Sequence, residues 1–272
     1  DRMSVVEKRA ASWEGFLELA TKAQEALGRK RRKGVLEECF FRGHSDEKYS
    51  LLPTLYRAGN GLNDDDLLEA EADLFWEFQA RAQELHGLAG QALTDWDYLF
   101  YMRHHGGYTR LLDWTESLGV AVYFAMEKIR DGKAGGSERP CVWVLNPYEL
   151  NAKEWKGTRD LANPHYLMDD DESWDYGDFL LAPKNFPRGP IAVYPIQRSN
   201  RVRAQRGWFT MHGSDRRGIE ESVPKALWKI VLEKDAEAGA LAFLEHAGLN
   251  AYTIYSDLDS LTRELHRKNR LL

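Results

Sequence analysis

Residues 103–125 read RHHGGYTRLLDWTESLGVAVYFA, with His104, His105, Gly106, Gly107, Arg110, Asp113 and Trp114 crowded ahead of a small-residue apolar run. A packing element spaces its apolar residues by one period and keeps polar groups on the opposite face. Here the polar and turn-forming residues come first and the apolar run second, the order of a functional loop seated on a rigid element. Ser117 to Arg130 reads as a helix with Ala121, Phe124, Ala125 and Ile129 inward. Thr109 to Trp114 is too short and polar for a helix and reads as a strand or tight turn. Before the loop, Asp95 caps a helix carrying Trp96, Leu99, Phe100 and Arg103, which Gly106 and Gly107 end.

Further upstream, Cys39 to Gly43 (CFFRG) is a short apolar strand that delivers Arg42. Gly43 permits a turn or the close approach of a ligand. An arginine directly after buried-type residues is held rather than mobile, the alternative being a surface ion pair. Tyr49 to Arg57 is an extended stretch broken by Pro53. Asp64 to Asp66 cap a helix that runs to about His86. The N-terminal Val5 to Gly28 carries a helical stripe through Phe16, Leu17, Leu19, Ala20, Ala23 and Leu27, and a basic run follows at Arg29 to Lys33.

Downstream, strands are expected at Cys141 to Leu145, Ile191 to Pro195, Trp208 to Met211, Ala226 to Leu232 and Ala251 to Tyr255. Helices are expected at Asp235 to Ala247 and at Ser256 to Lys268, the last capped by Ser256. Residues 151–190 have weak periodicity and an acidic patch, Asp169 to Asp178, and read as an insertion or lid. Helices crowd the first half and strands the second, so the fold class is α+β in one domain with a mostly antiparallel strand core. Residues 1–33 form an N-terminal helix and basic linker, and residues 34–272 the main domain.

The composition is that of a soluble globular protein: 43% hydrophobic and 29% charged over 272 residues. A net charge of −6 argues against a protein that coats nucleic acid through bulk charge, but not against a local basic groove. Nine tryptophans and twelve tyrosines suit stacking on a base or nicotinamide as well as a large core. Cys39 and Cys141 lie in apolar runs and read as buried thiols, which fits a reducing, cytoplasmic compartment. No cysteine–histidine spacing suits a metal, no apolar run reaches about 18 residues, and no leader pattern is visible.

Three clusters carry chemistry. The first is Arg42 with Gly43; the second is His104, His105, Thr109, Arg110 and Asp113; the third is Arg201, Arg203, Gln205 and Gly207. Arginine is never deprotonated and presents a planar fork, so several arginines beside glycines suggest a phosphate or pyrophosphate. The histidines serve as neutral hydrogen-bonders or as acid–base groups. Asp113 orients Arg110 or a histidine, or is a turn residue ahead of Trp114. The segment from Gln197 to Arg217 mixes six arginines with Trp208, Phe209 and His212, which suits a nucleic-acid strand or a solvated basic edge. No Walker loop, dinucleotide glycine fingerprint, HExxH or GxSxG is present.

Together these clusters resemble the FRG-domain family. Phe41, Arg42 and Gly43 match its name motif; Tyr49, Leu51 and Pro53 continue it. The block from His104 to Thr115, the run Val120 to Ala125, the set Asn200, Arg201, Gln205, Gly207 and Phe209, and Gly248 to Leu261 complete the pattern. His44 and Gly107 stand where the family more often has glutamine and a bulkier residue. An aromatic-Arg-Gly motif on a first core strand also resembles the ADP-ribosyltransferase fold. That resemblance implies an NAD-dependent ADP-ribosyltransferase, a bacterial toxin or phage-defence effector, with NAD as substrate. It implies RNA, DNA or protein as acceptor and an antitoxin protein as a further partner. On this expectation Arg42, His105, Asp113 and Gln205 act in catalysis, with Glu220 or Glu221 as weaker candidates for the usual glutamate. Arg42, Gly43, His104, Thr109, Arg110 and Arg201 hold NAD, and Arg203, Arg206, Trp208 and Phe209 meet the acceptor. The alternatives are a metal-independent ribonuclease or phosphodiesterase built on His104 or His105, and a non-catalytic nucleotide-sensing module.

Overall fold

Short strands buried on both sides form one mixed sheet with helices on both faces. A computed structural model describes residues 4–28, 38–59, 61–83, 85, 93–154, 165–166, 175–194, 200–269 and 271. In chain order the first elements are β1 (Val6–Ala10), α1 (Trp13–Leu27), β2 (Phe40–His44), α2 (Thr54–Ala58), α3 (Asp64–Ala82), α4 (Asp95–His104), β3 (Leu111–Thr115) and α5 (Leu118–Arg130). There follow β4 (Cys141–Leu145), α6 (Pro147–Glu154), β5 (His165–Tyr166), α7 (Tyr176–Leu181), β6 (Ile191–Tyr194), α8 (Asn200–Ala204) and β7 (Gly207–Met211). The chain ends with α9 (Ile219–Ser222), β8 (Leu227–Leu232), α10 (Lys234–His246), α11 (Ala251–Tyr255) and α12 (Leu258–Lys268).

The strand order is β1-β8-β4-β2-β3-β7-β6-β5. The two outer pairs, β1 with β8 and β5 with β6, are parallel, and the inner pairs are antiparallel. The fold is therefore α+β with a mixed sheet. Phe41 points to a core shared with α1, α5 and α10, whereas its neighbour Phe40 points to the opposite face with Trp114, Trp143 and Leu145. Phe41 faces Thr115 across the β2–β3 pair, so Thr115, Asp113 and Leu111 share the Phe41 face. On that same face Leu111, Val193, Phe209 and Met211 pack under α4 and α7. Two helical layers thus stand side by side on one face, meeting above β2 and β3.

Several expectations are corrected. The N-terminal stretch is not one helix: Val6–Ala10 forms an edge strand, with only Ala10 buried. A charged VEKRA segment has no apolar alternation to betray it, and charge is how edge strands avoid further pairing. Through β1 and α1 this segment belongs to the main sheet and core. Ala251–Tyr255 is helical, because Asn250 and Thr253 form a reciprocal cap. Asp257 rather than Ser256 caps α12, and Ser256 takes the left-handed turn between α11 and α12 with φ 54. Thr94 rather than Asp95 caps α4, and Asn63 rather than the aspartates caps α3. Thr54–Ala58 is a short helix, not extended chain. The expected insertion contributes Asn151, Tyr176 and Phe179 to the interior, while Asp178, Leu181 and Arg188 are exposed. The basic run Arg29 to Lys33, the end of the α3 expectation at His86, Gln197 with Arg198, and Asp169 to Trp174 lie outside the described residues. Cys39 and Cys141 are both buried, and burial pushes the Cys141 thiol up to about 12. No helix among the described residues is long and apolar enough to cross a membrane.

One polar cluster sits inside the α3–α7 layer. Arg110 is 4% exposed and grips Glu71, itself fully buried, with Nε donating to Oε1 at 2.7 Å and Nη2 to Oε2. Arg110 Nη1 donates to the Tyr56 hydroxyl (2.9 Å) and to the carbonyls of His212 (2.9 Å) and Gly213 (3.0 Å). Tyr176 donates to Glu71, and the Phe179 ring lies 4.2 Å from the guanidinium carbon. A charge buried this deeply is tolerated only when its donors and acceptors are matched. The fully buried His212 beside it has no hydrogen-bond partner on either ring nitrogen among the described residues.

Burial, and then the Arg110 charge, hold the His212 imidazole down at about 3, against an ordinary 6.5. Unfolded chains therefore bind a proton at this position below pH 6.5 that the folded protein refuses until about pH 3. Stability falls as pH falls through that window, by about 1.4 kcal/mol per pH unit for one such group. His212→Leu is expected to flatten the pH dependence of the urea midpoint between pH 6 and 4 by close to one proton. An unchanged slope would contradict this reading of His212.

Candidate functional site

Strands β2 and β4 pair at five positions, but β2 and β3 pair only at Phe41 and Thr115. Beyond that pair the two strands part, and the Asp113 carbonyl loses the ladder partner it would otherwise have. Arg42 fills the break: its Nη1 donates to Asp113 O at 2.5 Å. A buried carbonyl needs a donor, and a guanidinium can supply one while keeping others available.

The break opens into a cavity of about 410 Å³ between α5 on one side and α4 on the other. Volumes of this order suit a small ligand. Phe41, Gly43, Asp113 and Thr115 border it from the strands, Phe100, Arg103 and His104 from α4, and Val120, Phe124 and Glu127 from α5. Arg201, Val202 and Gln205 border it from α8 and the residue after it, and Tyr255 from α11.

The charges at the base are locked together. Arg103 Nε donates to Asp113 Oδ1 at 3.2 Å and to Oδ2 at 3.1 Å, and Nη2 donates to Oδ2. Arg103 Nη1 also reaches Thr54 Oγ1 at 3.3 Å. Arg42 Nη1 stands 3.7 Å from Asp113 Oδ2. Burial pushes the Asp113 carboxyl up, but Arg103 and then Arg42 outweigh it and hold the group at about 2. Asp113 is therefore an anchored carboxylate rather than a proton donor. Burial and Arg103 lower Arg42 to about 10 despite Asp113, which leaves it charged at neutral pH.

His44 holds the other edge of Arg42, accepting from Nε at 2.9 Å through its Nε2. Its Nδ1 stands 3.3 Å from Trp143 Nε1. A neutral imidazole accepts at one nitrogen only, and the shorter contact takes it. Burial and Arg42 keep His44 neutral by lowering it to about 2. After these contacts the Nη2 of Arg42 carries no hydrogen bond among the described residues. Among the described residues Arg201 makes one weak bond, Nη1 to His104 O at 3.4 Å, and lies 4.7 Å over the Tyr255 ring. Tyr255 in turn donates to Glu127 Oε1 at 2.7 Å. The Nε2 of Gln205 is buried without a partner among the described residues. The cavity thus offers two arginine edges, a carboxylate, an orphan amide and several aromatic walls.

Residues 37–134 match the FRG domain. This FRG-matching stretch runs from the threshold of β2 to just past α5, so it contains both sides of the break and the helix above it. No curated protein and no solved structure matches the chain.

Within and beyond the FRG-matching stretch, the structure sorts the expected site residues. Arg42, Gly43, His104, Asp113, Arg201, Gln205 and Phe209 border the cavity. Arg110 does not, and the expectation that Arg42 and Arg110 grip one ligand is corrected. Arg110 is drawn to Glu71 and borders a separate cavity with Tyr56 and Arg216. Arg110 stands just before β3, and its side chain turns toward α3 and α7 rather than toward the opening beside β2. His105 is exposed at the end of α4, with its ring centre 4.8 Å from that of His104 but outside the cavity. Thr109 is fully buried and accepts from Leu111 N at 3.3 Å, so it shapes the turn into β3. Arg203 and Arg206 are exposed. Trp208 stacks on Phe40 on the far face of the sheet, while Phe209 packs on Phe100. The expected basic–aromatic acceptor surface is therefore divided between two faces of β7. Glu220 is occupied with the Leu51 N–H, and Glu221 is exposed.

Glu127 is the carboxylate that the sequence reading missed. Val120, Phe124 and Glu127 are spaced i, i+4, i+7, a helical stripe ending on an acid, and that spacing was the available signal. Tyr255 lay within the Gly248 to Leu261 stretch of the family resemblance, which gave it no role of its own.

Gly43 borders the cavity, but its need for glycine comes from α5. A Cβ there would fall 1.9 Å from Ala121 O and 2.6 Å from Ala125 N. Backbone atoms of a packed helix cannot yield cheaply, so Gly43→Ala is expected to cost about 3 kcal/mol, at the upper end for overpacking. Urea denaturation checks this, and an unchanged midpoint would contradict the close approach of α5 to β2.

Proposed function

We propose that the cavity between β2 and β3 binds NAD and that the protein transfers ADP-ribose to an acceptor. The observation that carries this reading is the pair of incompletely bonded guanidinium edges, Arg42 and Arg201, in one aromatic-walled cavity that also holds Glu127. Guanidinium edges of this kind suit the oxygens of a pyrophosphate. Phe100, Phe124 and Tyr255 offer faces for a flat ring.

In the reaction, the bond between the ribose C1′ and the nicotinamide nitrogen breaks. Its electron pair stays on that nitrogen and neutralises the pyridinium charge. The ribose carbon takes on oxocarbenium character, which the Glu127 carboxylate stabilises through space. The acceptor's oxygen or nitrogen then bonds to C1′ and loses its proton to solvent water. His104 is held neutral, at about 4, by burial and then by Arg201, so its ring can accept a hydrogen bond there at neutral pH. Useful rates require a barrier reduction on the order of 8 kcal/mol or more. Nucleic acid or protein serves as acceptor, and the toxin or phage-defence setting follows from the family resemblance.

Incubation with NAD labelled in the adenylate and in the nicotinamide moiety tests the reading. The parent is expected to release nicotinamide and label an acceptor in cell extract. Arg42→Ala and Glu127→Gln are expected to lose about 100-fold or more, the size of one electrostatic contribution to a transition state. Cleavage of RNA without NAD would replace the reading by a nuclease. Neither release nor transfer, with Arg42→Ala indistinguishable from the parent, would end it.

A further inference from the structure

Gln205 lies one helical turn beyond Arg201, at i+4, and both border the cavity. On a helix that spacing puts two side chains on one face, about 5–6 Å apart at Cβ. The residue is held from behind. Its carbonyl accepts from Thr115 Oγ1 at 2.6 Å, and its N–H donates to Arg201 O at 2.9 Å. Arg206, next in sequence, takes the left-handed region with φ 44, and its carbonyl accepts from Glu116 N at 3.2 Å. The backbone at Gln205 is thus pinned to the end of β3. Its side chain, in contrast, makes no hydrogen bond among the described residues, and Nε2 is buried. Leaving a buried amide donor unmatched is costly, and orphan donors of this kind mark places where something outside the chain supplies the acceptor.

Resting on the reading of this cavity as a nucleotide site, we infer that Gln205 is a specificity residue that recognises a ribose hydroxyl of the bound nucleotide. A side-chain amide offers a donor and an acceptor side by side. A sugar hydroxyl both accepts and donates, so a vicinal diol matches both ends of the amide at once. A phosphate oxygen would satisfy only the donor, and it is already served by Arg201 one turn away. The spacing between a phosphate group and the hydroxyls of its own ribose is of the same order as one helical turn.

The test is calorimetric binding of ADP-ribose and of its analogue lacking the hydroxyls of one ribose, made for each ribose in turn. Binding is measured with the parent, with Gln205→Leu and with Arg42→Ala. The parent is expected to lose tenfold or more in affinity for one of the two analogues, a result that needs no variant to fold. Gln205→Leu is expected to weaken ADP-ribose binding by a similar factor and to bind that analogue no more weakly than the parent does. Such non-additivity is what a direct contact produces and a merely structural role does not. If the parent binds ADP-ribose and Arg42→Ala does not, but Gln205→Leu matches the parent on every ligand, the inference about Gln205 fails and the nucleotide site stands. If the parent binds none of them, both fail together.

Discussion

The arrangement of the site depends on a hydrogen bond that is not made between two strands. After Phe41 and Thr115, β2 and β3 separate, and the Asp113 carbonyl is completed by the Arg42 side chain instead of by a backbone N–H. Substituting a side chain for a ladder partner keeps the peptide group satisfied while opening the sheet. It also fixes a cation at the opening. His44 on one edge and the Asp113 backbone on another hold the guanidinium in place, so its remaining edge is presented in a defined direction. Arg103 then neutralises the Asp113 carboxylate from the α4 side. The result is a cavity whose charges were ordered during folding, before any ligand arrives, which is the condition under which electrostatic binding costs little reorganisation.

Two arginines from neighbouring segments show how position decides the role. Arg42 and Arg110 both follow apolar or turn residues and both look suited to an anion. Arg110 is gripped by Glu71, Tyr56 and two carbonyls, away from the cavity that Arg42 borders. Arg42 is bonded enough to be rigid and not enough to be full. A buried pair such as Arg110–Glu71 contributes less to net stability than to making alternative packings of α3 and α7 unfavourable, since either partner alone would be a stranded charge.

Much of this was legible in the chain. The strand Cys141–Leu145 and the helix after Ser117 follow directly from apolar runs and a cap, and the α+β class follows from their distribution. The aromatic-Arg-Gly strand and the His104–Thr115 block both contribute residues to the border of the opening between β2 and β3. What could not be read were relations that only topology creates. The parallel pairing of β1 with β8 joins the two ends of the chain, and a charged strand gives no periodic signal for it. The acid on α5 was hidden because its helix was read for its inward small residues rather than for the 120, 124, 127 stripe. The fate of Arg110 was set by Glu71, nearly forty positions upstream, which no local pattern links to it. Local sequence singled out candidate side chains; the sheet decided which of them meet.

The most direct test of this account is a crystal structure of the protein soaked with ADP-ribose. Ligand density is expected between β2 and β3, with pyrophosphate oxygens within hydrogen-bond distance of Arg42 and Arg201. Density seated instead against Tyr56 and Arg216 in the Arg110 cavity, with the β2–β3 opening empty, would contradict it.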